Sequence, residues 1–328
     1  MTQQKQHYVW LDYMKVYGLY FIVLGHFFPT YSSYIYAFNV PLFFVVSGIL
    51  SKKEDKFETF INKSMHNLII PVCIIMVIQY IWDITMHSDM YFDVKSLRRF
   101  ANAIIGMHGI YCGGGLGTCW FIYTLFVLKL LYQTFSKRIL LVLLFLLPIT
   151  AVLLIKNGIA PGNSILNVTV AYPFFWFGNA LRSRLGLLNN IKLMSRTTYI
   201  TTCICFIVLL FVGKYNWKVW IHLNAYGRYL LLYIIGGLTG TYVVYVISIL
   251  SERYWGASRF LNVLSVGSIV ILGFHYGIII DLIYLCNLNV NDYNAIFYSF
   301  AIMMLFIPIN MFFEKYCPMI FGKRLQRL

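Results

Sequence analysis

Apolar residues fall along this chain in long blocks separated by short polar segments, without the two-residue alternation of a half-buried strand. A helix needs about 20 predominantly apolar residues to cross ~30 Å of hydrocarbon. Ten blocks approach that length, at about 15–32, 35–50, 67–86, 118–135, 139–156, 166–182, 197–213, 226–250, 260–285 and 293–314. They predict an all-α, polytopic integral membrane protein, with about ten transmembrane helices in one bundle and a single domain over residues 1–328. The longest stretch between blocks, 87–117, is read as the main extracytoplasmic segment. No internal repeat, low-complexity linker or soluble domain interrupts the series.

Composition agrees with the pattern. The 328 residues are 60% hydrophobic and only 11% charged, and the mean hydropathy is +0.73, outside the range of soluble domains. The net charge of +15 is not a nucleic-acid footprint, because its lysines and arginines are scattered through short loops. With both ends placed inside, 18 basic residues fall on inside segments and 7 on outside ones. That bias orients membrane proteins, and it puts both termini on the cytoplasmic side of a plasma membrane. The first block is too long for a signal peptide and no small-residue cleavage site follows it, so it is expected to be retained.

Lys15 and His26 carry the most chemical information. Both are ionisable and bracket the apolar run LDYMKVYGLYFIVLGH. Eleven residues of helix bring them to one face, roughly 16 Å apart along the axis. Lys15 then sits at the cytoplasmic end and His26 past mid-membrane, where an ionisable group marks a functional site by default. Should His26 need a carboxylate to orient its ring, Asp83 and Asp281 are the best placed. His275 shares a helix face with Ser268, which allows a buried hydrogen bond as readily as a chemical role. His66, His87, His108 and His222 fall near interfaces or in loops. The Gly113–Gly117 stretch lacks the Lys-Ser/Thr of a phosphate loop and reads as a flexible entry to the fourth block, and Trp120 reads as an interfacial anchor. No histidine, cysteine or acid spacing fits a metal, and none is expected. Cys112 and Cys119 allow a disulfide, although the apolar surroundings favour free thiols.

These residues carry a resemblance. Asp12, Lys15 and His26 resemble the Arg/Lys-x10-His opening of the membrane acyltransferase-3 family. FNVPLFFVVSGIL at 38–50, Trp120-Phe121, YPFFWFGNAL at 172–181 and LSVGSIVILGFH ending at His275 are similar to its later blocks, as found in the fucose 4-O-acetylase-like branch. Two positions depart from the pattern. Asn39 stands where a histidine usually precedes the proline. The basic run before Leu-Ile-Pro is reduced to NKSMHNLIIP, with Lys63 and His66.

The resemblance implies transfer of an acyl group, usually acetyl from cytoplasmic acetyl-CoA, to a sugar hydroxyl of a cell-surface glycan or glycolipid precursor. It implies His26, Asn39 and His275 as the chemical residues. Lys15, Asp12 and Lys63, with Lys52, Lys53 and Lys56 nearby, would then hold the donor. His26 would act as general base or, as the second choice, carry the acyl group itself. Acceptor contacts are expected from 87–117 and from the segment around Trp217, Trp220 and His222, and membrane lipids are the other expected partners. The same ten spans also suit a transporter or lipid-linked glycan flippase with His26, His275 and Asp281 as a proton relay. Against that stands the absence of detectable repeated halves.

The orientation is testable. In a cysteine-free background, a cysteine at position 55 should resist an impermeant thiol reagent added to intact cells, and one at position 100 should react. Outside labelling at 55 would invert the topology.

Overall fold

The computed structural model describes residues 7–86, 94–107, 109–112, 114–159, 165–191, 193, 195–217 and 219–322. Lys5, His87, Asp89, Asp93, His108, Gly113, Lys192, Lys218, Lys323, Arg324 and Arg327 lie outside the described residues.

All ten apolar blocks are helical. In chain order the helices are α1 (Val9–Gly25), α2 (Ser32–Tyr36), α3 (Asn39–Leu50), α4 (Phe57–Ser64), α5 (Ile70–Met86), α6 (Val94–Ile104), α7 (Gly109–Cys112) and α8 (Trp120–Thr134). They continue as α9 (Lys137–Lys156), α10 (Ile165–Leu181), α11 (Leu185–Asn189), α12 (Arg196–Tyr215), α13 (Leu230–Trp255), α14 (Arg259–Val266), α15 (Ser268–Cys286) and α16 (Asp292–Tyr316). A small antiparallel ribbon pairs β1 (Val219–Trp220) with β2 (Ala225–Tyr226). Among the described residues, eight helical segments are long and apolar enough to cross a membrane. The remaining two of the ten blocks, α1 and α10, have 17 residues each, which is ~25 Å of helix. The result is an all-α polytopic membrane bundle.

Several blocks are broken, each for a local reason. The second divides into α2 and α3, with Pro41 in the first turn of α3, where its missing N–H is harmless. A π-turn at Met65–Ile69 joins α4 to α5 directly before Pro71, whose ring would clash with an ordinary helical carbonyl four residues back. The ninth splits at Gly267 into α14 and α15. Asn310 of α16 presses its amide onto that glycine, where any Cβ would collide with it, and donates to Val263 O at 3.3 Å. The 87–117 segment is not simply a loop. It contains α6 and α7, and α6 is tied to α5 by stacking of Phe100 on Tyr80 at 4.7 Å.

α1 is the hub of the bundle and touches α3, α13, α14, α15 and α16. Its Trp10, Leu19 and Val23 are fully buried. The closest crossing is between α3 and α10. A Cβ at Gly48 would collide with Phe175 O and one at Gly178 with Val45 O, so the two backbones meet through paired glycines. Such crossings are favoured in bilayers, where packing rather than water expulsion drives helix association. α9 and α12 lie outside and present Leu141, Phe145, Ile204 and Ile207, as lipid-facing helices should.

Polar contacts between helices gather at two ends. At one, Tyr13 donates to Gly256 O (2.9 Å), Lys53 to Phe135 O (2.6 Å), Arg182 to Ile49 O (3.0 Å) and Tyr245 to Leu188 O (2.6 Å). At the other, Thr30 N–H donates to Asp292 (2.8 Å) and Trp82 Nε1–H to Asp281 (2.6 Å). Every segment joined at the first end is one the charge bias assigns inside, which is the grouping ten alternating crossings require.

The glycine crossing gives a stability prediction. Gly48→Leu should lower the thermal midpoint in detergent sharply, because overpacking typically costs 1–3 kcal/mol and here the obstacle is backbone. Gly186→Ala, with nothing within 4 Å of its Cβ, should leave it unchanged. Fluorescence-detected size-exclusion after heating reads both.

Candidate functional site

His26 is the residue that closes α1, with φ −77° and ψ −5°. Its Nδ1 lies 2.8 Å from Ile22 O. A carbonyl only accepts, so Nδ1 carries the proton and the neutral ring keeps its lone pair on Nε2. His26 is therefore oriented by its own helix. The expected carboxylates do not hold its ring: Asp281 takes the Trp82 indole N–H at 2.6 Å, and Asp83 lies against Gly114.

His275 is brought to His26 from α15, with ring centroids 4.8 Å apart and planes at 83°. It is 2% exposed. Its Nδ1–H is shared between Ile271 O (2.9 Å) and Leu272 O (3.0 Å), so it bonds its own helix rather than Ser268. Its Nε2 has no hydrogen-bond partner among the described residues. Two proton-accepting nitrogens thus belong to one pair of rings. Tyr276, the next residue of α15, also packs against His26, with ring centroids 5.0 Å apart.

His26 opens on a cavity of about 290 Å³. Asn39, at the start of α3, lines it with its Oδ1 accepting from Val40 N–H at 2.8 Å. Aromatic walls come from Tyr36, Trp120, Trp220 and Tyr276, with His222 beside them. Of the segment expected to contact an acceptor, Trp220 and His222 line the cavity and Trp217 does not. Trp120 is a cavity wall rather than only an interfacial anchor. Nothing in the sequence singled out Tyr36 or Tyr276 from 26 tyrosines.

Two local structures build these walls. The ribbon is fixed by Asn216, whose amide donates to Tyr226 O (3.3 Å) and accepts from Tyr229 N–H (2.7 Å). Tyr226 in turn donates to Asn167 at 2.9 Å. The glycine stretch is not a flexible entry: Gly114–Cys119 is a 3₁₀ turn with Gly115, Leu116 and Gly117 buried. A Cβ at Gly115 would collide with Gln79, so glycine lets this turn pack on α5 and α15. Thr118 secures it by donating to Gly273 O at 3.0 Å. All seven cysteines are free, and burial pushes the Cys112 thiol up to about 11, so it stays protonated at neutral pH.

Of the predicted donor residues, Asp12 and Lys15 lie in the N-terminal half of α1, and neither they nor Lys63 line this cavity. Asp12 is 7% exposed. It receives the Ser265 hydroxyl of α14, Lys15 Nζ at 3.5 Å and His7 Nε2 at 2.7 Å. Lys15 also donates to Ser265 at 3.2 Å. Its charge is thus already balanced in part by a carboxylate. Lys63, on α4, pairs instead with Glu54 at 2.7 Å and is well exposed, and the structure does not bring it to Asp12 or Lys15. No cluster of histidine, cysteine and acidic residues able to hold a metal occurs among the described residues.

Fold and cavity together describe an integral membrane bundle with a proton-accepting imidazole held in a built cavity. The family model described as an acyltransferase domain, Acyl_transf_3, matches residues 8–314, and the chain belongs to that family. It is a multi-pass membrane acyltransferase, and the transporter reading falls away. None of the curated proteins and none of the solved structures compared with it matches.

The Asp12 cluster predicts a stability pattern. Lys15→Ala leaves a buried carboxylate short of its cation and should lower the thermal midpoint, since hydrogen bonds to charged groups contribute about 1.5–3 kcal/mol. Lys15→Arg should retain it, and Lys15→Ala with Asp12→Asn should recover part of the loss. A midpoint unmoved by Lys15→Ala would show that the pair contributes nothing.

Proposed function

We propose that the protein transfers an acetyl group from cytoplasmic acetyl-CoA to a hydroxyl of a cell-surface glycan or its lipid-linked precursor, at the outer face of the plasma membrane. The observation that carries this reading is His26, its Nε2 lone pair left free by the Ile22 hydrogen bond, on a cavity walled by aromatic rings. The resemblance to the fucose 4-O-acetylase-like branch supports acetyl and sugar as the two partners. The basic bias supports a cytoplasmic position for both termini and the Asp12–Lys15 end.

The chemistry follows from the tautomer. Nε2 of His26 takes the proton of the acceptor hydroxyl as its oxygen attacks the thioester carbonyl. The new C–O ester bond forms, the C–S bond breaks, and sulfur leaves with coenzyme A, taking up the proton. Trp120, Trp220, Tyr36 and Tyr276 offer apolar faces to a sugar ring, and Asn39 and Thr118 offer hydrogen-bonding groups to its hydroxyls. Donor phosphates meet Lys15 at the inner end of α1, roughly 16 Å away along the helix, a span suited to a long thin arm ending in a thioester. To bind there, a phosphate shares Lys15 with Asp12.

Purified protein given labelled acetyl-CoA should form an acetylated product or slowly release acetate. Surface glycans of a deletion strain should lose one acetyl per repeat by mass spectrometry. His26→Ala and His26→Gln should each reduce transfer at least ~10²-fold, the usual contribution of a general base, while still inserting. Glutamine keeps size and an acceptor but takes no proton. His275→Gln should keep partial activity if it only positions His26. Near-normal transfer by His26→Gln would overturn the assignment.

A further inference from the structure

A second cavity is larger than the one at His26. A groove of about 670 Å³ lies between α5, α15 and α16. Its walls are mostly hydrocarbon: Phe274, Ile278 and Leu282 of α15, Leu305 and Phe312 of α16, and Trp82 of α5. Trp82, Leu305 and Phe312 are also exposed on the outer surface of the helices, so the groove is open sideways to the bilayer. Its polar groups are Gln79, Asp83 and Asp281.

Gln79 is the telling residue. It is 4% exposed, and its Nε2 donates to Gly273 O at 2.7 Å, which fixes the orientation of the amide. Its Oε1 is then left without a partner among the described residues. An orphaned acceptor at this depth is costly unless something donates to it. A lipid tail cannot. A hydroxyl can, and the carboxylates of Asp83 and Asp281 on the same wall also favour a hydroxylated, uncharged head over a phosphate.

The groove also adjoins the reaction cavity. Consecutive residues of α15 face the two spaces, Tyr276 the cavity and Gly277 the groove. The glycine turn and the Gln79 side chain meet there, with Gln79 Nε2 3.8 Å and Gly115 Cα 4.0 Å from where a Gly277 Cβ would stand. A chain seated in the groove would carry its head to the wall of the His26 cavity.

We propose that this groove holds the hydrocarbon chain of a neutral glycolipid, whose sugar hydroxyl donates to Gln79 Oε1, and that this lipid class is the acceptor. The proposal rests on the acyl-transfer reading for the word acceptor, and its test does not depend on transfer. The full-length protein in nanodiscs is photolysed with a dodecyl β-glucoside bearing a diazirine at the chain end, and labelled peptides are mapped by mass spectrometry. Label should concentrate on 274–286 and 305–313. Leu282→Trp with Leu305→Trp, which fills the groove, should reduce it at least fivefold. Gln79→Leu, which removes the proposed acceptor together with the Gly273 hydrogen bond, should weaken labelling at least ~fivefold. His26→Gln should label like the parent, which separates occupancy of the groove from chemistry at the imidazole. Label spread evenly over α9 and α12, label indifferent to both sets of substitutions, or equal labelling by a diazirine phosphatidylglycerol would overturn the proposal.

Discussion

Hydrocarbon supplies no hydrogen-bond partners, and the arrangement of this molecule follows from that constraint. Hydroxyls on the spanning helices turn back to carbonyls one turn earlier: Thr124 to Trp120, Thr241 to Gly237, Ser248 to Val244 and Ser299 to Ala295. Both site histidines obey the same rule, His26 with Ile22 and His275 with Ile271. An imidazole has one N–H in its neutral form. Once a helix carbonyl takes it, the other nitrogen must be a bare acceptor. The bilayer thus sets the tautomer that general-base chemistry requires, without an acidic residue to hold the ring.

The same constraint gives the exceptions their meaning. Where water is absent, a buried polar atom left unmatched is costly, and among the described side chains few remain: Trp10 Nε1, Gln79 Oε1, Asn167 Nδ2, His275 Nε2 and Asn310 Oδ1. His275 Nε2 belongs to the ring against His26, and Gln79, which carries the unmatched Oε1, lines the groove behind the same stretch of α15. Two of these atoms therefore flank one segment, residues 273–277, which the glycine turn also touches. α1 joins this region to the charged cluster at its opposite end, where Asp12 binds α1 to α14 through Ser265. One helix carries both ends of the proposed reaction path.

The spans were legible in the sequence because hydrophobic length is a strong and nearly one-dimensional signal. His26 stood out because an imidazole within such a run is expensive. What could not be read were features set by partners distant in the chain. The break at Gly267 depends on Asn310 of α16, and nothing near Gly267 announces it. The glycines at 114–117 looked mobile because glycine signals freedom, whereas their use here is close approach to Gln79 and α15. Asp83 and Asp281 were the candidates should His26 need a carboxylate, and the helix carbonyl of Ile22 takes the ring N–H instead. Trp120 sits at a position where an interfacial anchor is the common reading, and only the fold of the Trp220–His222 ribbon turns it into a cavity wall. Lys63 read as part of the donor set from its loop, but α4 directs it to Glu54.

Asn39 illustrates how a departure from a family pattern is resolved by local bonding. An asparagine offers one acceptor and two donors and no titratable proton. Its Oδ1 is taken by the Val40 N–H at the start of α3, and its Nδ2 lies toward Gly25, the residue before His26. What it can still present to the cavity is therefore an N–H donor. In the proposed reaction the base must accept a proton while negative charge grows on the thioester oxygen. A fixed donor beside the base suits that second need, and the free lone pair of His26 suits the first. A histidine at position 39 would compete for the proton. In the proposed reaction the amide leaves that role to His26, and its N–H is a donor for an acceptor hydroxyl or for the developing charge.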